Sequence, residues 1–287
     1  MTGRPLRDQV MELPDTRQLS WCEYGDPGGR PVVYCHGLPG SRLELSPHGG
    51  AAAEGGMRLL VPDRPGYGRS SPRPGRRLGE EAADVAVLAD RLGLGAFDVL
   101  GFSGGGPHAL AIAARLPDRV QRAGLISSLA PLDRAGTAGM AEANRQLWEL
   151  ARADPAAFTE AVEQAVAAAG SAYDLLVGGA PEEDRAIFAD EALAGAYRRD
   201  LEEALRQGVA GMREDAGAVT ADWPFAVGDL RCPVRLWHGD RDANAPIGMG
   251  RWLAEHLPRA ELTEWPGAAH FAFFRHWGEV LDGLAPA

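Results

Sequence analysis

The stretch that most constrains this chain is Gly101-Phe102-Ser103-Gly104-Gly105. A strand-like apolar run, Phe97 to Phe102, leads into it, and an alanine-rich helical pattern, Pro107 to Arg115, leads out. Ser103 therefore stands at a corner where extended backbone turns into helix. Glycines on both sides remove the Cβ atoms that so sharp a reversal would drive into neighbouring backbone, and the serine side chain is left projecting. This context, more than the G-x-S-x-G spacing itself, makes Ser103 a candidate nucleophile rather than one more residue of a glycine turn.

A chain of 287 residues is long enough for a large core or for a core that carries an insertion. Its formal net charge of -11 argues against nucleic acid or an anionic membrane surface as partner, because both demand a basic footprint. Met1 to Leu13 is polar and interrupted by Pro5, and no apolar run approaches the roughly 20 residues of a bilayer-spanning helix. The expectation is a cytoplasmic protein. Cys22, Cys35 and Cys232 lie in or beside strand-like runs without metal-binding spacing, and they read as small buried hydrophobes.

Two short alternating runs, Val10 to Leu13 and Gln18 to Tyr24, suggest an opening hairpin. Pro31 to Cys35 and Met57 to Val61 are almost wholly apolar, as strands covered on both faces must be, with a loop expected between them. Glu80 to Leu92 has helical spacing, and Val120 to Ser128 reads as a further strand. Strand and helix alternate as they do in a parallel sheet with crossover helices, where ligands bind beyond the carboxyl ends of the strands. From about Asp133 to Phe225 the pattern is helical only, with stretches Ala141 to Ala151, Pro155 to Ala169, Pro181 to Tyr197 and Asp200 to Met212. Alternation then resumes with Pro233 to Trp237, a helix from Ile247 to His256, a strand near Ala260 to Trp265 and a closing helix from Phe273. The expected organisation is an α/β core from 1–132 and 226–287, with a helical cap over 133–225.

Five motifs in order then bear on identity: His36-Gly37-Leu38-Pro39-Gly40, the loop from Asp63 to Ser70, the serine corner, His238-Gly239-Asp240-Arg241-Asp242, and Gly267-Ala268-Ala269-His270-Phe271. Together they resemble the α/β-hydrolase-fold serine hydrolases with a helical cap, and the resemblance covers nearly the whole chain. It implies an α/β fold with a mostly parallel central sheet flanked by helices, no cofactor or metal, and a small-molecule acyl substrate. The family's order of nucleophile, acid and histidine matches Ser103, Asp242 and His270. Its oxyanion hole is made of backbone N–H groups, here those of Gly104 and Leu38, because Pro39 has none.

Chemistry gives these residues reasons. A serine hydroxyl needs a base, and an imidazole titrates near neutrality, so it takes the proton and returns it to the leaving group. His270, in a Gly-Ala loop after the last strand, is that candidate. His256 and His276 fall on helices, His48 in a polar segment, and His36 and His238 at strand ends where they brace loops. For the acid, Asp240 and Asp133 remain beside Asp242, with Asp240 expected to cap a turn. The Asp63 to Ser70 loop reads as a rigid corner packing behind the site, and the acidic residues of 133–225 as a solvated face. Candidate pocket residues are His36, Phe102, His108, Trp148, Tyr173, Tyr197, Trp223 and Phe271. Among the cap's large side chains, including Phe158, Phe188 and Met212, only a minority are expected at the site. A serine excludes aspartate-nucleophile chemistry. It leaves ester hydrolysis as the main reading, with iminopeptidase, lactonase or carbon–carbon bond hydrolase, and a non-catalytic ligand-binding protein, as alternatives.

Overall fold

The computed structural model describes residues 5–285; the outermost positions of the two expected core segments, 1–4 and 286–287, lie outside the described residues. Eight strands make one sheet: β1 (Arg7–Glu12), β2 (Gln18–Gly25), β3 (Arg30–Cys35), β4 (Met57–Pro62), β5 (Phe97–Phe102), β6 (Val120–Ile126), β7 (Val234–Gly239) and β8 (Ala260–Trp265). Their spatial order is β1-β2-β4-β3-β5-β6-β7-β8. The β1–β2 hairpin is antiparallel and β2 pairs antiparallel with β4, while all later pairings are parallel.

Among the described residues the α-helices are α1 (Gly49–Glu54), α2 (Ala82–Arg91), α3 (Gly105–Arg115), α4 (Leu132–Ala135), α5 (Glu142–Ala153), α6 (Pro155–Ala169), α7 (Ala172–Gly178), α8 (Glu182–Arg185), α9 (Glu191–Ala204), α10 (Ala210–Thr220), α11 (Ile247–His256) and α12 (Phe273–Leu284). The inner strands β3, β4 and β5 are largely apolar on both faces because both are covered. Val33 and Cys35 of β3 join α2, α3 and α11 in one core, while their neighbours Val32 and Tyr34 join α12 in the other. Cys22, Cys35 and Cys232 are buried free thiols, as expected.

Several helical boundaries differ from the pattern-based expectation. The segment between β3 and β4 contains α1, and His48 before it is buried with its ring stacked 4.6 Å from that of Trp277, not part of a polar stretch. The run Pro181 to Tyr197 is two helices, because Asp190 starts α9 afresh by accepting from the Ala192 and Leu193 N–H groups at 2.9 and 3.2 Å. The run Asp200 to Met212 is divided between the end of α9 and the start of α10, with Gly208 at φ +79° in the turn. Helix α7 lies outside the four expected helical stretches, since its 7 residues give little periodic signal. Between β6 and β7 the described residues form helices α4 to α10 without a strand.

The approach of α3 to the sheet depends on one missing methyl group. A Cβ on Gly105 would lie 2.1 Å from the Cys35 carbonyl oxygen and 2.5 Å from that of His36, both backbone atoms at the end of β3. Gly105→Ala is therefore expected to cost about 3 kcal/mol or more. Thermal unfolding followed by circular dichroism should show a Tm lower by roughly 6–12 °C; an unchanged Tm would refute so close an approach.

Candidate active site

Ser103 occupies the first position beyond β5 and has φ +52°, a left-handed conformation that costs a non-glycine residue about 1–2 kcal/mol. The corner is fixed around it: Ser103 N–H donates to the Ile126 carbonyl at 2.9 Å, and its own carbonyl accepts from Gly106 N–H at 3.0 Å. Strain held at a site that tertiary contacts over-determine is the arrangement expected of a projecting reactive side chain.

His270 and Asp242 come from the loops beyond β8 and β7, whose ends are paired at Gly239 and Trp265. His270 Nε2 lies 3.0 Å from Ser103 Oγ, and Nδ1 lies 2.8 Å from Asp242 Oδ2. With Nδ1–H donating to the carboxylate, Nε2 is free to accept the serine proton. The other oxygen of Asp242 accepts from Asn244 and Ala245 N–H at 2.8 and 2.9 Å, which locks the carboxylate. Burial works against charge on Asp242, yet the imidazoles of His270 and His238 hold it well below the usual carboxylate range. Burial likewise lowers the His270 pKa, but the Asp242 charge and hydrogen bond outweigh it, with Asp184 and Glu44 adding to the net rise.

The Leu38 loop leaves β3 next to β5, where Cys35 and Gly101 are in register. Gly104 is the N-cap of α3, and a Cβ there would lie 2.7 Å from Leu38 Cβ, so the two residues abut beside Ser103. Behind them, buried Glu44 accepts the Gly37 N–H at 3.0 Å and the Tyr34 hydroxyl at 2.7 Å, and burial pushes its carboxyl pKa up.

The structure groups some of the candidate residues and separates others. Phe102 faces His270 with ring centroids 5.0 Å apart, and Phe271 packs against Phe188 and Tyr197 at 5.2 and 5.4 Å. Tyr173 joins this aromatic group through Phe188 at 6.0 Å. Trp148 instead packs with Phe158 and Met212 of the helical insertion and against the core of the sheet, and Trp223 packs beside Leu78 and Ala218. Amphipathic spacing alone does not distinguish an insertion's own core from a pocket wall. His108 is no open pocket floor: it is fully buried, with Nδ1 against Glu81 and Nε2 3.3 Å from Asp215. His36 braces its loop, accepting from Arg64 N–H at 3.2 Å through Nε2. His238 Nε2 lies 2.6 Å from the Ala245 carbonyl, which steadies the Asp242 turn. Asp240 accepts from Gly267 N–H at 2.7 Å, and Asp133 is exposed on α4.

Five polar residues at the site went unsuspected. Glu44, between β3 and β4, is buried; so are Asp184, Asp200 and Asp215, which overturns the reading of the insertion's acids as one solvated face. Ser127, itself at φ +44°, donates through Oγ to the His270 carbonyl at 3.2 Å. The available signal was Asp200, which shares a helical face with Tyr197, Leu201 and Ala204.

Comparison with known proteins bears on the fold and the family. The family model described as alpha/beta hydrolase fold matches residues 30–276. A pimeloyl-[acyl-carrier protein] methyl ester esterase from Chromobacterium violaceum is 32% identical over 251 residues, 83% of this chain and 89% of that one. A proline iminopeptidase from Neisseria gonorrhoeae is 30% identical over only 121 residues, 41% of this chain and 39% of that one. Among solved structures, the bromoperoxidase from Bacillus anthracis superimposes with a TM-score of 0.74 at 21% identity, covering 97% of this chain and 98% of that one. With the sheet order, the serine corner and the family match in agreement, the chain belongs to the α/β-hydrolase fold family.

Proposed function

We propose that the chain is a serine hydrolase that cleaves a small carboxylic ester through an acyl-enzyme intermediate. The observation that carries this reading is the continuous relay from Ser103 Oγ through His270 to the buried Asp242 carboxylate, at 3.0 and 2.8 Å. His270 Nε2 takes the hydroxyl proton as Oγ bonds to the ester carbonyl carbon. The resulting oxyanion accepts from Leu38 and Gly104 N–H at the positive end of α3. The carbonyl reforms as the alkoxide leaves with the proton from His270, and water repeats the sequence on the acyl-serine. The Asp242 carboxylate stays ionised throughout and stabilises the imidazolium. The esterase relative, matched over most of both chains, supports an ester over an amide.

The helices from 133 to 225 serve as the cap in this reading, with Tyr173, Phe188 and Tyr197 walling an acyl pocket beside Phe271. The aromatic side chains favour an apolar acyl group. The test is a p-nitrophenyl ester series of increasing acyl length, with wild type, Tyr173→Ala and Phe188→Ala. Wild type should hydrolyse the series, and each variant should shift kcat/KM toward longer chains by about 10-fold. No turnover of any ester refutes the function, and turnover with unaltered chain preference refutes the pocket. An iminopeptidase would need a free acidic group for a substrate ammonium. Asp184, Asp200 and Asp215 are instead bound to core N–H groups and side chains, which favours the ester.

A further inference from the structure

Three fully buried aspartates of the helical insertion, Asp184 on α8, Asp200 on α9 and Asp215 on α10, reach the loops that carry the reacting groups. Asp184 takes two adjacent amides of the histidine loop: Oδ2 accepts from His270 N–H at 3.1 Å and Oδ1 from Phe271 N–H at 2.8 Å. Asp200 Oδ1 accepts from Ser41 N–H at 3.0 Å and from Ser41 Oγ at 2.6 Å, at the far end of the Leu38 loop. Asp215 acts through Arg64, whose Nε donates to Oδ2 at 2.7 Å. Arg64 then donates from Nη1 to the His36 carbonyl at 2.5 Å and from Nη2 to the Gly37 carbonyl at 2.8 Å.

That last contact bears on the oxyanion hole. The Gly37 carbonyl and the Leu38 N–H belong to one planar trans peptide and point in opposite directions. A guanidinium held on the carbonyl side therefore fixes the direction in which the Leu38 N–H points. Arg64, in the corner that reads from sequence as simple packing, controls an oxyanion donor, and its own orientation is set from the insertion. Glu44 holds the preceding amide of the same loop at 3.0 Å.

Holding an insertion onto a sheet does not require buried charge, because apolar side chains of similar volume do so at least as well. What the carboxylates add is direction, since each fixes donors at hydrogen-bond length. We propose that Asp184, Asp200 and Asp215 are positioning residues through which the insertion aims the base and one oxyanion donor, making it a working part of the catalytic centre. The proposal rests on the esterase reading above.

The experiment compares Asp184→Asn, Asp200→Asn and Asp215→Asn with wild type in p-nitrophenyl acetate turnover, in the rate of fluorophosphonate labelling of Ser103, and in amide exchange of residues 36–42 and 270–271. Asparagine keeps the volume and one acceptor but loses the second. For Asp184→Asn and Asp215→Asn, kcat should fall about 10-fold or more with KM within about 2-fold, because the lost interaction matters in the transition state. Labelling should slow in parallel, since the phosphonyl oxygen uses the same donors. Asp200→Asn keeps both Ser41 bonds through its one amide oxygen and should stay within about 2-fold of wild type, whereas Asp200→Ala, which removes them, should fall about 3-fold. The charges facing His270 are Asp242, Asp184 and Glu44. Losing one of them in Asp184→Asn moves the acid limb of kcat/KM to lower pH. A lowered Tm with kcat, labelling and pH profile all unchanged means that the aspartates only hold the insertion on, and overturns the proposal. If Asp215→Asn does not fold, Arg64→Lys decides: it keeps the charge beside Asp215 but cannot grip both carbonyls, so a wild-type kcat there overturns the proposal and a 10-fold loss supports it. Wild type that neither hydrolyses ester nor takes the label rejects the esterase reading instead. In that case faster exchange of the two loops in the variants still supports the positioning, and unaltered exchange overturns it.

Discussion

Ser103→Ala is expected to leave a folded protein whose ester hydrolysis is about 10⁴- to 10⁶-fold below wild type. The loss is large because Oγ is the atom that forms the acyl bond, and neither His270 nor the two backbone donors supply a nucleophile in its place. Stability should barely change, since Oγ makes its hydrogen bond to His270 and the corner is held by backbone bonds to the Ile126 carbonyl and from Gly106 N–H. Turnover of p-nitrophenyl acetate and far-ultraviolet circular dichroism of the same preparation check both halves. Wild-type turnover by Ser103→Ala, in material free of contaminating esterase, would remove Ser103 from the mechanism.

Asp242→Asn should lower kcat by about 10⁴-fold, while Asp240→Asn and Asp133→Asn stay near wild type. In the variant the amide oxygen still accepts from Asn244 and Ala245 N–H, so the turn survives. The amide N–H₂ then faces His270 Nδ1, which must become an acceptor, and the remaining proton is placed on Nε2 against the serine. The pH dependence follows from the same contact. The base works as neutral imidazole, and in the wild type burial lowers its pKa while Asp242, Asp184 and Glu44 raise it to a net value above that of an ordinary histidine. Activity in kcat/KM is therefore present above that raised pKa and lost as pH falls through it. Removing the Asp242 charge moves the acid limb of the residual activity to lower pH. An unmoved limb, or a large loss in Asp133→Asn instead, would place the acid elsewhere.

The parts of this molecule that could be read from sequence are those whose constraints are local. Alternation of apolar strands with helical runs announces a parallel sheet, because a strand covered on both faces has no polar positions, as Val32 to Cys35 have none. The corner at Ser103 is legible for the same reason: a strand, a serine between glycines and a helix are adjacent in sequence, and the steric demand that Gly101 meets, against the backbone of Gly105 and Gly106, is set by the turn itself. His270 and Asp242 are legible only through motif order, a resemblance and not a local necessity.

Tertiary structure alone decided which polar residues of the insertion face inward. Asp184 and Asp215 look in sequence like any acid on a surface helix, and Asp200 differs only in sharing a face with Tyr197, Leu201 and Ala204, since a carboxylate is buried only when a partner from elsewhere satisfies it. Those partners lie far along the chain: Ser41 is 159 residues from Asp200, Arg64 is 151 from Asp215, and His270 is 86 from Asp184. The same distance in sequence hid the split among the aromatics, with Phe158 in the insertion's own core, Trp148 between that core and the sheet's, and Tyr197 and Phe188 against Phe271. Helical periodicity marks a side chain as inward-facing; what stands opposite it is settled only when the chain has folded back on itself.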